Sequence, residues 1–125
     1  MCNGGGPPKI TITITATTEN PFPPGLSDGV TTLPIGGPND SGFTTVVVPN
    51  QQVQFVKAGD ITEFQIIEGQ GSDIFKTDPT AANNYTGVIG TNLQNDQSRE
   101  YTIQYRVKGH DSPFDQDPEL KMKRK

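Results

Sequence analysis

Apolar and polar residues alternate with a period of two in several separate stretches of this chain, and no window carries a convincing period of 3.6. In KITITITATT (9–18), Ile10, Ile12, Ile14 and Ala16 fall on one face and Thr11, Thr13, Thr15 and Thr17 on the other, as in a half-buried strand. FTTVVV (43–48) is a second strand, stopped by Pro49-Asn50. QVQFVK (52–57) and ITEFQIIE (61–68) flank the turn Ala58-Gly59-Asp60 and predict a hairpin. EYTIQYRV (100–107) alternates most strongly, with Tyr101, Ile103, Tyr105 and Val107 inward and Thr102, Gln104 and Arg106 outward. YTGVIG (85–90) and ELKMK (119–123) are shorter strands, the latter with Leu120 and Met122 inward, and Ile74-Phe75 begins another.

Between these runs lie turn-forming stretches. Residues 19–42 hold five Pro and five Gly, which cannot sustain a ladder; they predict a long ordered crossover with a short edge strand at Val30–Leu33. GQGSD (69–73), KTDPTAANN (76–84) and TNLQNDQSR (91–99) read as turn and loops. About seven or eight strands at such spacing predict an all-β, single-domain, two-sheet β-sandwich, mostly antiparallel, cupredoxin-like or immunoglobulin-like. The sandwich spans 9–122, after a flexible Gly/Pro segment at 1–8 and before a basic tail at 123–125.

Composition agrees with the pattern. Ile and Val supply 18 residues and Thr 15, against four Leu and four Ala, and Cβ branching suits a pleated surface better than a helix. The formal net charge is −4, and the basic residues Lys121, Lys123, Arg124 and Lys125 crowd one end. The remaining 1–120 stretch carries six positive charges against 14 negative, so it repels phosphate backbones and nucleic acid is not an expected partner. No apolar run reaches membrane-spanning length. Taken as written, the chain reads as cytoplasmic. The alternative takes Cys2 as the mature terminus of a lipoprotein, with the following Gly-Pro stretch as a tether and the domain secreted or anchored.

One cysteine and one histidine restrict the chemistry. Cys2 leaves no internal disulfide and no cysteine-based metal cluster, and a Ser-His-Asp triad would have to use His110. Carboxylate-pair chemistry stays open, although no spacing marks a pair. The expectation is therefore a protein that is not an enzyme. Asp111, Asp115, Asp117 and Glu119 crowd one loop and form a candidate calcium site, since hard cations take several oxygens at once. Phe22, Leu26, Leu33 and Ile35 form a candidate apolar interaction patch within 19–42, unless they fold back to cap the sandwich.

Two resemblances follow from the C-terminal quarter. YTIQYRVKGH followed by Phe114 resembles the closing strand and loop of a cupredoxin, where a core strand delivers a cysteine and the next loop returns a histidine and a methionine to copper. Here Tyr105 holds the thiolate position, His110 follows five residues later, and Phe114 holds the methionine position; with no second histidine, the resemblance implies the fold without copper. QDPELKMK, with Asp117-Pro118 after a Tyr-rich strand, is similar to the ends of bacterial inclusion-body proteins of the AidA/PixA type, which implies a β-sandwich that accumulates in cells. Two functional classes remain. One is a structural, self-assembling sandwich, homo-oligomeric or particle-forming. The other is an extracellular or lipid-anchored adhesion or ligand-binding module.

Overall fold

The computed structural model describes residues 8–36, 43–68 and 74–124. Its strands are β1 (Ile10–Ala16), β2 (Gly25–Ser27), β3 (Thr32–Leu33), β4 (Thr44–Val47), β5 (Gln52–Gly59), β6 (Ile61–Glu68), β7 (Phe75–Thr77), β8 (Thr86–Ile89), β9 (Ser98–Val107), β10 (Phe114–Gln116) and β11 (Glu119–Met122). A single 3-10 turn at Ala81–Asn83 is the only helical element among the described residues. The protein is the expected all-β sandwich. Its strand count exceeds the expected seven or eight because β2, β3, β7 and β10 are only two or three residues long. No described helix is long and apolar enough to cross a membrane.

One sheet runs β3-β2-β1-β5-β8-β7. The other is built on β9, which pairs with β6 along one edge and with β10 and β11 along the opposite edge, while β4 lies outside β11. The last two strands share one register against β9: Phe114 faces Tyr105, Gln116 faces Ile103, and after the interruption at Pro118 Glu119 faces Glu100. They are one strand, broken where proline cannot donate to the ladder. Pairing is antiparallel except for β1 with β5 and β4 with β11.

The hairpin expected at Ala58-Gly59-Asp60 does not form. Both edges of β5 are taken, by β1 and by β8, so β6 has no ladder to join there and pairs with β9 instead. The turn carries the chain from one sheet to the other. Gly59 takes φ +71°, and a Cβ on it would press into the Ala16 carbonyl oxygen. The Asp60 N–H donates to that carbonyl at 2.7 Å, and the Lys108 N–H donates to the Asp60 carbonyl at 2.9 Å, joining the sheets at this corner.

The crossover after β1 also differs from expectation. Rather than one edge strand at Val30–Leu33, it folds into β2 and β3, which extend the first sheet from the edge of β1, with Val30 93% exposed at the turn between them. Asp28 shapes that turn, accepting from the Val30 and Thr31 N–H groups at 2.8 and 2.7 Å. Its other oxygen accepts from the Thr45 hydroxyl of β4 at 2.6 Å and so links the two sheets.

The core fills the space between the sheets, as the alternation requires. Ile12, Ile14 and Ala16 from β1 and Val53 and Phe55 from β5 meet Tyr101, Ile103, Tyr105 and Val107 from β9 and Leu120 and Met122 from β11, all buried. Each large aliphatic side chain removed from water in this way contributes roughly 1.5–3 kcal/mol. Lys123 and Arg124, expected as the start of a basic tail, are held against the loop before β9. The Lys123 ammonium lies 3.2 Å from Asp96, and the Arg124 guanidinium donates to the Leu93 and Thr91 carbonyls.

Candidate functional site

The segment that carries the cupredoxin resemblance closes one end of the sandwich. β9 delivers Tyr105 to the interior, the glycine turn after Val107 reverses the chain, and β10 returns Phe114 opposite Tyr105. The Tyr105 and Phe114 rings stack with centroids 5.6 Å apart, and His110 meets Phe114 edge-on at 5.6 Å. The three positions do converge, but as a hydrophobic cluster. Phe22 adds to it by stacking on the outer side of Phe114 at 6.2 Å. The Tyr105 hydroxyl donates to the Pro21 carbonyl at 2.6 Å, and burial pushes its pKa up.

His110 is a strut. Its Nε2 donates to the Thr18 carbonyl at 2.8 Å. Thr18 in turn donates its N–H to the Asp60 carboxylate at 2.9 Å and its hydroxyl to the Lys108 carbonyl at 2.9 Å. The imidazole therefore ties the turn after β9 to the segment after β1, at the corner where the chain changes sheets. Cys2 lies outside the described residues, as does Pro38-Asn39-Asp40-Ser41-Gly42, a weaker run of oxygen donors for calcium in the sequence.

The expected calcium loop is not assembled. Asp115, Asp117 and Glu119 fall at alternate positions along the β10–β11 line, so successive carboxylates are strung about 7 Å apart along the outer face. Each meets its own neighbour: Asp115 accepts from the Gln104 amide at 3.1 Å, Asp117 accepts from the Thr102 hydroxyl at 2.7 Å, and Glu119 lies opposite Glu100. Asp111 sits in the turn, where its backbone carbonyl accepts from Arg106 at 3.0 Å. Among the described residues, no three His, Cys, Asp or Glu side chains stand close enough to hold a metal ion.

Of the apolar patch expected from Phe22, Leu26, Leu33 and Ile35, the fold keeps the last three around one hollow and sends Phe22 to the aromatic end cluster. Leu26 is a core residue at 1% exposure, because β2 pairs on β1 with this side chain facing inward. Leu33 packs against the core from β3, Phe22 belongs to the aromatic end cluster, and Ile35 stays at the rim of a shallow hollow of ≈180 Å³ over Thr13 and Thr15. Leu26, Leu33 and Ile35 thus line one shallow hollow together, and Phe22 does not join them.

A carboxyl pair not marked by the sequence stands at the far end of β6. Glu68 turns toward the sandwich interior and accepts from the Ile74 and Phe75 N–H groups at 2.9 and 3.2 Å, anchoring the start of β7. Its carboxyl group also hydrogen-bonds that of Asp78, beside a hollow of ≈320 Å³ that Ile66, Ile67, Pro79 and Thr80 complete. Burial is the first cause that raises the Glu68 pKa, and the hydrogen bond to Asp78 and the charge of Asp78 raise it further, against the lowering pull of the two N–H donors.

A carboxyl whose pKa is raised in the folded state holds its proton to higher pH than in the unfolded chain. Its contribution is therefore complete at acid pH and declines as pH rises from the unfolded value, about 4.3, through the raised folded one. Asp78→Asn removes the like charge while keeping a hydrogen-bonding side chain. It is expected to raise the melting temperature at pH 7 by about 2 °C, the gain vanishing in melts below about pH 4. A gain that persists undiminished at acid pH means that the pair is not the cause.

Comparison of the chain with protein-family models and with curated protein sequences finds no match.

Proposed function

We propose that this chain is a non-catalytic, self-assembling β-sandwich that joins further copies of itself through the free edge of β4. The supporting observation is how little guards that edge. β4 is terminal in its sheet, and Val46 is 55% exposed on its outer face. The whole FTTVVV run lacks a charge or a proline. The Phe43 and Val47 carbonyls are taken by the Glu119 and Lys123 N–H groups of the β11 side. Alternation along a parallel ladder then turns the backbone groups of Thr44 and Val46 toward the other side, where no described strand lies. The other outer strands are better protected: β3 is two residues long, β7 carries Lys76, β10 is three residues long and carries Asp115, and β6 carries Glu63 beside a bulge. A short, uncharged edge of high β-propensity is a template for a further strand.

Among the described residues, several charged side chains serve internal structure. Glu68 anchors β7, His110 braces the corner, and Asp115 and Asp117 accept from Gln104 and Thr102 of β9. Val46→Glu is the decisive change, because it charges the edge while meeting Lys121 across the ladder, so the fold is retained. Light scattering after size-exclusion chromatography is expected to give oligomers that grow with concentration for the natural chain and a monomer for Val46→Glu with an unchanged thermal melt. A natural chain that stays monomeric at high concentration, or oligomers unaffected by the substitution, would refute the assembly. A second reading, a ligand-binding module, is favoured by a pair of grooves on the opposite side of the same sheet.

A further inference from the structure

We infer that the groove around Tyr85, on the side of the sandwich where β5 and β6 diverge, is a binding site for a neutral carbohydrate. It stands independently of the assembly reading, because β6 and β4 are opposite edges of one sheet. Two hollows of ≈310 and ≈320 Å³ meet here, and Phe64 and Tyr85 line both. Each is at the small end of ligand-binding volumes, with room for a sugar ring or two.

The backbone at this point is strained. Asn84 and Tyr85 take φ of 59° and 57°, the left-handed region that an aromatic residue rarely adopts, at about 1–3 kcal/mol for such a site. The surroundings enforce it: the Tyr85 N–H donates to the Thr80 carbonyl at 2.7 Å, its carbonyl accepts from the Phe55 N–H at 2.9 Å, and its ring stacks on Phe64 at 4.3 Å. The result is a rigid, half-buried ring on the rim between the hollows, whose hydroxyl has no hydrogen-bond partner among the described residues. An aromatic ring with an apolar face and a polar tip suits a pyranose, which offers a C–H face edged by hydroxyls.

The polar side chains select the same ligand. Gln65 donates to the Gln104 amide oxygen at 2.7 Å, and Gln104 donates to Asp115 at 3.1 Å, a relay that fixes both amide planes along one wall. Arg106 and Glu63, 3.8 Å apart, extend that wall with a planar donor and a planar acceptor of cancelling charge. Lys57, lining the second hollow, offsets Asp115 behind Gln104, so the surface offers donors and acceptors in preset directions without a net charge. A phosphate or sulfate ligand would meet Glu63, and Asp115 behind Gln104, as well as Arg106 and Lys57, and so gains no net attraction, while an apolar ligand would strip water from the amides without replacing their hydrogen bonds. A ligand rich in hydroxyls and free of charge satisfies both constraints.

The test uses the full-length ¹⁵N-labelled chain, titrated separately with neutral hexasaccharides of glucose, mannose, galactose and N-acetylglucosamine, and with a sulfated heparin hexasaccharide. The expected result is saturable shifts of the amide signals near Gln65, Tyr85 and Gln104 with at least one neutral sugar. Affinity should fall about tenfold or more in Tyr85→Ser. Because Tyr85→Ser removes a packing contact, Gln65→Ala with Gln104→Ala on the exposed face serves as a second variant, with the same loss expected and the thermal melt retained. No saturable shift with any neutral sugar, shifts confined to another face, binding of the sulfated sugar alone, or full affinity in the double variant would each overturn the site.

Discussion

Gly59→Ala is expected to cost the fold about 3 kcal/mol, read as a lower urea midpoint at an unchanged slope. Two costs combine. The residue sits at φ +71°, where an L side chain is strained, and the new methyl meets the Ala16 carbonyl oxygen, a backbone atom that cannot swing aside. That carbonyl is already held by the Asp60 N–H, so its displacement loosens the corner on which β5 passes into β6. Gly29→Ala is the control: its φ is +89° but nothing lies within 4 Å of the added methyl, so only the conformational cost of about 1 kcal/mol applies. Equal losses at the two glycines would show that the sheet-changing corner is not under the constraint described.

Tyr101 gives the second large effect, with opposite signs for two substitutions. Its ring is 1% exposed at the centre of the core, edge-on to Phe55 at 5.7 Å, so Tyr101→Ala opens a cavity and is expected to cost about 4 kcal/mol. Its hydroxyl is buried without a protein hydrogen-bond partner among the described residues, and burial, then the charge of Asp28, drives its pKa far upward. Tyr101→Phe removes that desolvated oxygen while keeping the ring and is expected to stabilise by about 1 kcal/mol. Chemical unfolding of both variants measures the pair. A loss of more than 1 kcal/mol in Tyr101→Phe would mean that the hydroxyl has a structural role the geometry does not reveal.

The strands that could be read from the chain are those with one buried and one wet face. β1, β9 and β11 place Ile12, Ile14, Tyr101, Ile103, Leu120 and Met122 inward as their alternation demands, because a pleated strand has no other way to separate its two kinds of residue. The failures have a different origin. Ala58-Gly59-Asp60 has the composition of a hairpin turn and also of a sheet change; which one forms depends on whether β5 has a free edge, and that is decided by β1 and β8. The Pro- and Gly-rich crossover hid β2 and β3 because strands of two or three residues leave no periodicity to detect.

The site residues divide in the same way. Tyr105, His110 and Phe114 meet because a tight turn joins β9 to β10, a local matter that spacing can express. The acids at 115, 117 and 119 carried a signal that argued against a metal loop, since a period of two places carboxylates along a strand face instead of around a centre. Glu68 ends β6 and Asp78 follows β7, and Tyr85 owes its exposure to a left-handed backbone following Asn84. Neither leaves a mark in the order of residues, because both follow from how separate strands come to rest against each other.

The parallel pairing of β4 with β11 has a consequence for the order of events on the ribosome. Residues 44–47 leave the exit tunnel long before residues 119–122, and β11 is their sole strand neighbour among those described. Throughout that interval the nascent Thr-Val stretch has no intramolecular mate, while neighbouring polysomes bring identical stretches close by. Slow translation of the downstream message would therefore lengthen the period in which two growing chains can capture each other before either one is finished.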